Sequence, residues 1–168
     1  MIHLITGGQR SGKSSRAQEF ALSLTDSPVY VATARVWDED FEQRVERHKD
    51  DRDERWNTLE VEKALGDIKV ERRVVVVDCI TLWLTNFFMD TDQDVDRSME
   101  LAKDELEKLF EKDCTLILVT NEIGMGTHAH TESGRKFADM QGWMNQFIAE
   151  RADNVTLMVS GIPVEIKG

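Results

Sequence analysis

The sequence predicts an α/β fold built on a mostly parallel, doubly wound sheet with a C-terminal β-hairpin. Short β-prone runs alternate with helix-like segments along the whole chain, which is the pattern of such folds. Residues 74–78 and 115–119 are unbroken apolar runs, typical of strands that are covered on both faces. The chain also opens with a β-prone run, a glycine-rich loop and a helix pattern, in that order.

The opening segment predicts a phosphate-binding loop. It matches the G-x-x-x-x-G-K-[ST] pattern, in which glycines let consecutive backbone N–H groups point at phosphate oxygens. Lys13 supplies positive charge for the outer phosphates, and Ser14 offers a hydroxyl to a nucleotide-bound Mg²⁺. A plain glycine turn is the alternative. The candidate nucleotide-binding residues are Gly7, Gly8, Gln9, Arg10, Ser11, Gly12, Lys13 and Ser14.

The remaining elements follow from periodicity and turn residues. Apolar residues at helical spacing predict amphipathic helices, and short β-branched runs bounded by turn residues predict strands. Helices are predicted at 13–24, 38–51, 94–112 and 137–148. Strands are predicted at 3–6, 29–33, 59–61, 74–78, 115–119, 155–159 and 164–166, the last two joined across Ser160-Gly161.

Composition predicts one acidic domain spanning residues 1–168. The net charge of −11 and the pI of about 4.8 argue against a nucleic-acid partner, whose phosphates would be repelled. Any phosphate-binding site must therefore be a locally basic region of an otherwise acidic protein.

The two cysteines, Cys79 and Cys114, lie in or beside apolar runs and are expected to be buried free thiols. No signal peptide and no apolar stretch near the roughly 20 residues of a membrane span is evident. We therefore expect a reducing, cytoplasmic location.

The predicted sheet places one site beyond the carboxyl ends of its strands. We expect the loops after Thr6, Thr33, Asp78 and Thr120 to converge there. Asp78 ends an apolar strand, as the acid that holds Mg²⁺ does in nucleotide-binding folds, although it can also be a plain strand-end aspartate.

A basic stretch around His48 is the second candidate for chemistry. Arg44, His48 and Arg52 are spaced four apart, so they share one face of a persistent helix. Flanking positive charge favours the neutral imidazole, which is a nucleophile, and arginines clamp phosphates. From the spacing alone, a solvated charged helix is the favoured interpretation, because runs of charge are usually solvent-exposed faces.

A third candidate is the loop 121–126, Asn-Glu-Ile-Gly-Met-Gly, which follows a buried strand. Loops in this position commonly line active sites, and a simple connection is the alternative. His128 and His130 follow it, but metal sites usually need three or four ligands, so we interpret them as loop residues.

These motifs together resemble the bifunctional adenosylcobinamide kinase / adenosylcobinamide-phosphate guanylyltransferase family of cobalamin biosynthesis. The resemblance runs from end to end of the chain. It is carried by 6–14, 30–34, Arg44-x3-His48-x3-Arg52-x3-Trp56-x-Thr58-x-Glu60, 78–86, 121–126 and 159–161.

The resemblance implies two transfers to one substrate. A γ-phosphoryl group passes from ATP or GTP to the hydroxyl of adenosylcobinamide, and GMP then passes from GTP to that phosphate through a guanylylated histidine. The histidine matches His48, which is therefore the expected catalytic nucleophile. Lys13 is the other residue expected to take part in catalysis. The resemblance also places at the nucleotide Ala32, Thr33, Ala34, Lys49, Asp50, Asp51, Arg52, Glu60 and Asp78.

The phosphate-binding loop and the acid that ends a strand predict Mg²⁺ held by Ser14 and Asp78. The resemblance further implies assembly as a homotrimer. The chain departs from the family pattern in three places: Asp53 stands where proline is common, Asp78 where glutamate is frequent, and 127–130 replace a Val-Pro stretch. Two rival hypotheses stay open, a single-activity small-molecule kinase and a nucleotide-regulated switch protein.

Overall fold

The computed structural model describes residues 1–35 and 53–168. Within them, one sheet of seven strands has the order β3-β2-β4-β5-β1-β6-β7. Every neighbouring pair is parallel except β6 and β7. The strands are β1 (Ile2–Gly7), β2 (Val29–Ala32), β3 (Asn57–Glu60), β4 (Val74–Asp78), β5 (Thr115–Val119), β6 (Asn154–Val159) and β7 (Ile162–Lys167).

Four helices connect the described strands. They are α1 (Lys13–Leu24), α2 (Ile80–Asp90), α3 (Val95–Phe110) and α4 (Glu132–Arg151), with a short 3-10 turn at Leu65–Asp67. The side chains of Asp94 and Thr131 cap α3 and α4 by accepting from the backbone N–H groups of Arg97 and Gly134. None of the helices in these two ranges is long and apolar enough to cross a membrane.

Alternate residues of the central strands pack on opposite faces of the sheet. On one face, Leu4, Val77 and Leu118 join a core made with α2, α3 and α4. On the other, Ile5 and Val119 pack against α1. Because helices cover both faces of the sheet, its central strands are apolar on both sides, as their unbroken apolar runs predict. The prediction of a mostly parallel, doubly wound α/β sheet is confirmed.

The C-terminal hairpin is also confirmed. β6 and β7 pair antiparallel, and Ser160 and Gly161 between them have φ of 53° and 84°. Two positive φ angles in sequence characterise the tight turn whose twist matches that of paired strands.

Helix α2 is the described element that the sequence pattern does not predict. Apolar side chains are distributed around nearly the whole circumference of this helix: Ile80, Leu82, Trp83, Leu84, Phe87, Phe88 and Met89. A helix that is apolar all round shows no amphipathic stripe, so periodicity cannot reveal it. The predicted helix at 38–51 lies outside the described residues.

The core makes a direct stability prediction. Leu106 on α3 is fully buried, whereas Leu24 at the end of α1 is 47% exposed. We expect Leu106→Ala to lower the free energy of unfolding by about 2–5 kcal/mol, because it removes buried methyl groups and leaves a cavity. Urea denaturation measures this, with Leu24→Ala as the matched control expected to stay within about 0.5 kcal/mol of wild type. Equal losses in the two variants would contradict the burial described here.

Candidate active site

The phosphate-binding loop joins β1 to α1, and its glycines are required by close packing. Gly7 has φ 151°, and a Cβ there would lie 2.5 Å from the Met158 carbonyl oxygen of β6. Gly12 has φ 92°, and its Cβ would lie 3.3 Å from the Cα of Gly161 in the hairpin turn. Gly161 N–H also donates to the Ser11 carbonyl at 3.0 Å. The hairpin therefore supports the loop from one side.

Lys13 lies inside this loop. Its side chain is only 7% exposed, and Nζ donates to the Gly8 carbonyl at 2.6 Å. Burial lowers the pKa of Lys13, while the nearby Cys79 and Asp78 act in the opposite direction. A buried ammonium of this kind is well prepared for an anionic ligand, because phosphate oxygens replace the hydration that burial removes.

Asp78 stands at the end of β4 and is held by a residue that sequence reasoning did not select. The Tyr30 hydroxyl donates to Asp78 Oδ2 at 2.9 Å. Tyr30 is 3% exposed and makes an edge-to-face contact with Trp56. A tyrosine in a buried strand needs a hydrogen-bond partner for its hydroxyl. Its place in the predicted strand was therefore the sequence signal that could have identified Tyr30. The bond fixes the orientation of the Asp78 carboxylate.

Ser14 and Asp78 fit a magnesium ion by the chemistry of their donor atoms. Ser14 is the second residue of α1, and Asp78 is close enough to Lys13 to influence its pKa. A hydroxyl and a carboxylate are hard oxygen ligands, and Mg²⁺ in nucleotide sites is held by few protein ligands together with phosphates.

Neighbouring strands align three of the predicted nucleotide contacts. Ala32 pairs in register with Glu60 on one side and with Asp78 on the other. Beyond them, Thr33 Oγ1 donates to the Cys79 carbonyl at 2.8 Å and accepts from Cys79 N–H at 3.0 Å. The loops after β2 and β4 are thus fastened together, and Thr33 is fully buried between them.

The loop after β5 reaches the same edge of the sheet. Asn121 N–H donates to Thr81 Oγ1 at 3.0 Å, and Glu122 N–H donates to the Gly7 carbonyl at 3.0 Å. The expected convergence of the loops after β1, β2, β4 and β5 is therefore what the described residues show.

Other predicted residues differ in what can be said of them. The described residues do not include Arg44, His48, Lys49, Asp50, Asp51 or Arg52.

Both cysteines are free thiols, with Cys79 buried and Cys114 half-buried. Burial raises the pKa of Cys79 to about 12, so its thiol stays protonated at neutral pH.

Arg35 is the last described residue before this interval, and it is firmly anchored. Its guanidinium donates to Asp90 at 2.8 Å and to Glu62 at 2.8 Å. Lys63 also pairs with Asp90, and the two cations hold the pKa of that carboxyl well below its usual range. The chain is therefore fixed to the end of α2 where it leaves β2.

The two adjacent glycines of the loop give a matched test of the packing. We expect Gly7→Ala to lower the free energy of unfolding by about 1–3 kcal/mol, because the methyl group meets the Met158 carbonyl and φ is unfavourable. A methyl group on Gly8 meets no atom within 4 Å, so Gly8→Ala should stay within about 0.5 kcal/mol. Thermal unfolding monitored by circular dichroism measures both, and equal stabilities would contradict the described packing.

Comparison with known proteins agrees with the motif-based resemblance. The model of the family described as cobinamide kinase / cobinamide phosphate guanyltransferase matches residues 3–166. The bifunctional adenosylcobalamin biosynthesis protein CobP of Pseudomonas aeruginosa is 40% identical, covering 100% of this chain and 98% of that protein. The corresponding protein CobU of Escherichia coli is 35% identical, covering 99% of this chain and 100% of that protein.

Among solved structures, the flagellar accessory protein FlaH from Methanocaldococcus jannaschii is similar over 99% of this chain and 77% of that chain, with 17% identity and a TM-score of 0.46. The family assignment rests instead on the sequence relatives and on the match from end to end. By that evidence, the chain belongs to the cobinamide kinase / cobinamide phosphate guanyltransferase family.

Proposed function

We propose that this chain, acting as one domain, phosphorylates adenosylcobinamide with ATP or GTP and then transfers GMP from GTP to the product. The supporting observation is the phosphate-binding loop, in which Lys13 is buried close enough to Asp78 for the carboxylate to influence its pKa. The Glu122 N–H of the loop after β5 donates to the Gly7 carbonyl of the same loop. Family membership over nearly the whole chain supports the choice of substrate.

In the phosphorylation step, the loop and the N-terminus of α1 bind the nucleotide phosphates. Lys13 neutralises charge on the outer phosphates. Ser14 and Asp78 would hold Mg²⁺, which would supply positive charge to offset the charge that develops on the transferred group. Tyr30 keeps the Asp78 carboxylate oriented. The Ser11 hydroxyl is buried and has no hydrogen-bond partner among the described residues, as suits a loop that binds an anion.

In the guanylylation step, an imidazole nitrogen of His48 attacks the α-phosphorus of GTP. A P–N bond forms, the P–O bond to the leaving pyrophosphate breaks, and Arg44, Arg47, Lys49 and Arg52 offset the phosphate charge. A phosphate oxygen of adenosylcobinamide phosphate then attacks the same phosphorus, and the P–N bond breaks. Adenosylcobinamide-GDP forms and His48 is regenerated.

Selection of guanine is assigned to Glu60. Its carboxylate can accept hydrogen bonds from the N1–H and the exocyclic amino group of guanine, and adenine does not present this pair of donors. Glu60 lies beside Ala32, which pairs in turn with Asp78, so one nucleotide site can include all three together with Thr33 and Ala34. Lys49, Asp50, Asp51 and Arg52 complete this proposed site.

The assembly proposed for the chain is a homotrimer in the cytoplasm. The edge strand β7 is exposed along its whole length and carries Ile162, Val164 and Ile166, which are 65%, 42% and 61% exposed. Apolar side chains on an edge strand favour burial against another copy. The free thiols of Cys79 and Cys114 are in keeping with a reducing compartment.

A covalent adduct tests the proposed function most specifically. Incubation with Mg²⁺ and GTP labelled at the α-phosphorus should label the wild-type chain, and the label should be acid-labile and alkali-stable, as a phosphoramidate is. His48→Ala should abolish labelling, because the nucleophile is gone. The exposed His130 provides the matched control, and His130→Ala should label normally.

Each rival function gives a different result in this experiment. Phosphorylation of adenosylcobinamide without an adduct on the wild type would leave a single-activity kinase. Nucleotide binding without either reaction would leave a nucleotide-regulated switch. Undiminished labelling in His48→Ala would contradict the assignment of the nucleophile.

A further inference from the structure

A buried amide network lies behind the loop that follows β5. Thr120 and Gln141 are both fully buried, and Asn145 is half-buried one helical turn after Gln141 on α4. The Thr120 hydroxyl donates to Asn145 Oδ1 at 2.8 Å. Gln141 Nε2 donates to Thr120 Oγ1 at 3.0 Å and to Asn145 Oδ1 at 2.9 Å. Two of these bonds end on Asn145 Oδ1 and orient its amide, and the third links the two donors to each other.

The network has one contact with the loop. Asn145 Nδ2 donates to the Asn121 carbonyl oxygen at 3.1 Å. That carbonyl can only accept, so the contact requires the nitrogen of the Asn145 amide to face the loop and the oxygen to face Thr120 and Gln141. Asn145 is therefore oriented from one side and bonds the loop from the other.

Further contacts hold the loop against the phosphate-binding loop. Asn121 N–H donates to Thr81 Oγ1 on α2, and Glu122 N–H donates to the Gly7 carbonyl. Within the loop, Gly124 N–H donates to Glu122 Oε1 at 2.8 Å. The Glu122 carboxylate and backbone thus have defined positions beside Gly7.

The polar character of the network is costly for a purely structural role. Gln141 Oε1 is buried and has no hydrogen-bond partner among the described residues. An incompletely satisfied buried amide is less favourable than apolar packing of similar volume, so a structural role alone does not explain it.

Strand order locates the loop relative to the transferred group. β5 lies between β4, which ends at Asp78, and β1, which leads to Lys13. The ends of β4 and β1 are two strand spacings apart, about 10 Å. If Mg²⁺ at Asp78 and the ammonium of Lys13 hold the outer phosphates, the loop after β5 faces the γ-phosphoryl end of the nucleotide.

We propose that Asn145, oriented by Thr120 and Gln141, is a positioning residue that holds the loop 121–126 on the acceptor side of the γ-phosphoryl group. This inference rests on the proposed function. It assigns the loop to phosphorylation of adenosylcobinamide, whereas formation of the GMP adduct takes place at the α-phosphorus and needs no corrinoid. Loss of the Asn145 contact should therefore impair the two reactions unequally.

The isosteric variant Asn145→Asp isolates the contact. The carboxylate still accepts from Thr120 and Gln141, but it has no donor for the Asn121 carbonyl and repels it. We expect kcat for phosphorylation to fall about tenfold to a hundredfold, the loss typical of reacting groups misplaced by about 1 Å. The KM for ATP and the rate of GMP-adduct formation should stay close to wild type.

Gln146→Glu is the matched control. It makes the same amide-to-carboxylate change at the next residue of α4, where the side chain is exposed. It should leave both reactions unchanged, which separates the lost contact from the added negative charge.

The unequal effect on the two reactions is what decides the proposal. Unchanged phosphorylation in Asn145→Asp, or an equal fall in both reactions accompanied by a lower Tm, would overturn it. If Asn145→Asp does not fold, Thr81→Val removes the opposite support of the loop, and the same test applies to it. A wild-type chain that does not phosphorylate adenosylcobinamide would instead refute the proposed function itself.

Discussion

The packing of backbone against backbone around Gly7 is the constraint on which the rest of the site depends. Its carbonyl accepts from Glu122 of the loop after β5, and its Cα faces the Met158 carbonyl of β6 at a distance that admits no side chain. The phosphate-binding loop is therefore held from both sides by the strands that flank β1. Parallel register among these strands sets the position of Lys13 and of the N-terminus of α1, which bind phosphate in the proposed reactions.

The electrostatics of the site contrast with those of the whole chain. The protein carries a net charge of −11, yet Lys13 is buried at the one edge where the loops converge. Asp78 is kept in place by a tyrosine hydroxyl, which orients the carboxylate without neutralising it. Such an arrangement favours a nucleotide that brings its own magnesium ion, because the metal and the phosphates satisfy both charges together.

Local sequence patterns predict most of this fold because its strands and amphipathic helices carry clear periodicity. The bounds of α1, β4 and β5 follow directly from the residues. Helix α2 escapes the same reasoning, since it is apolar on nearly every side. The bonds from Tyr30 to Asp78 and from Asn145 to Asn121 join residues far apart in the chain, so only the folded sheet reveals them.

The central claim is that one phosphate-binding loop serves both transfers. The most direct measurement compares the two rates in Lys13→Met, with Lys136→Met on the exposed side of α4 as the control. The account predicts that Lys13→Met loses both phosphorylation of adenosylcobinamide and formation of the GMP adduct, while the control keeps both. Adduct formation at the wild-type rate in Lys13→Met would contradict it, because GTP would then bind for guanylylation without this loop.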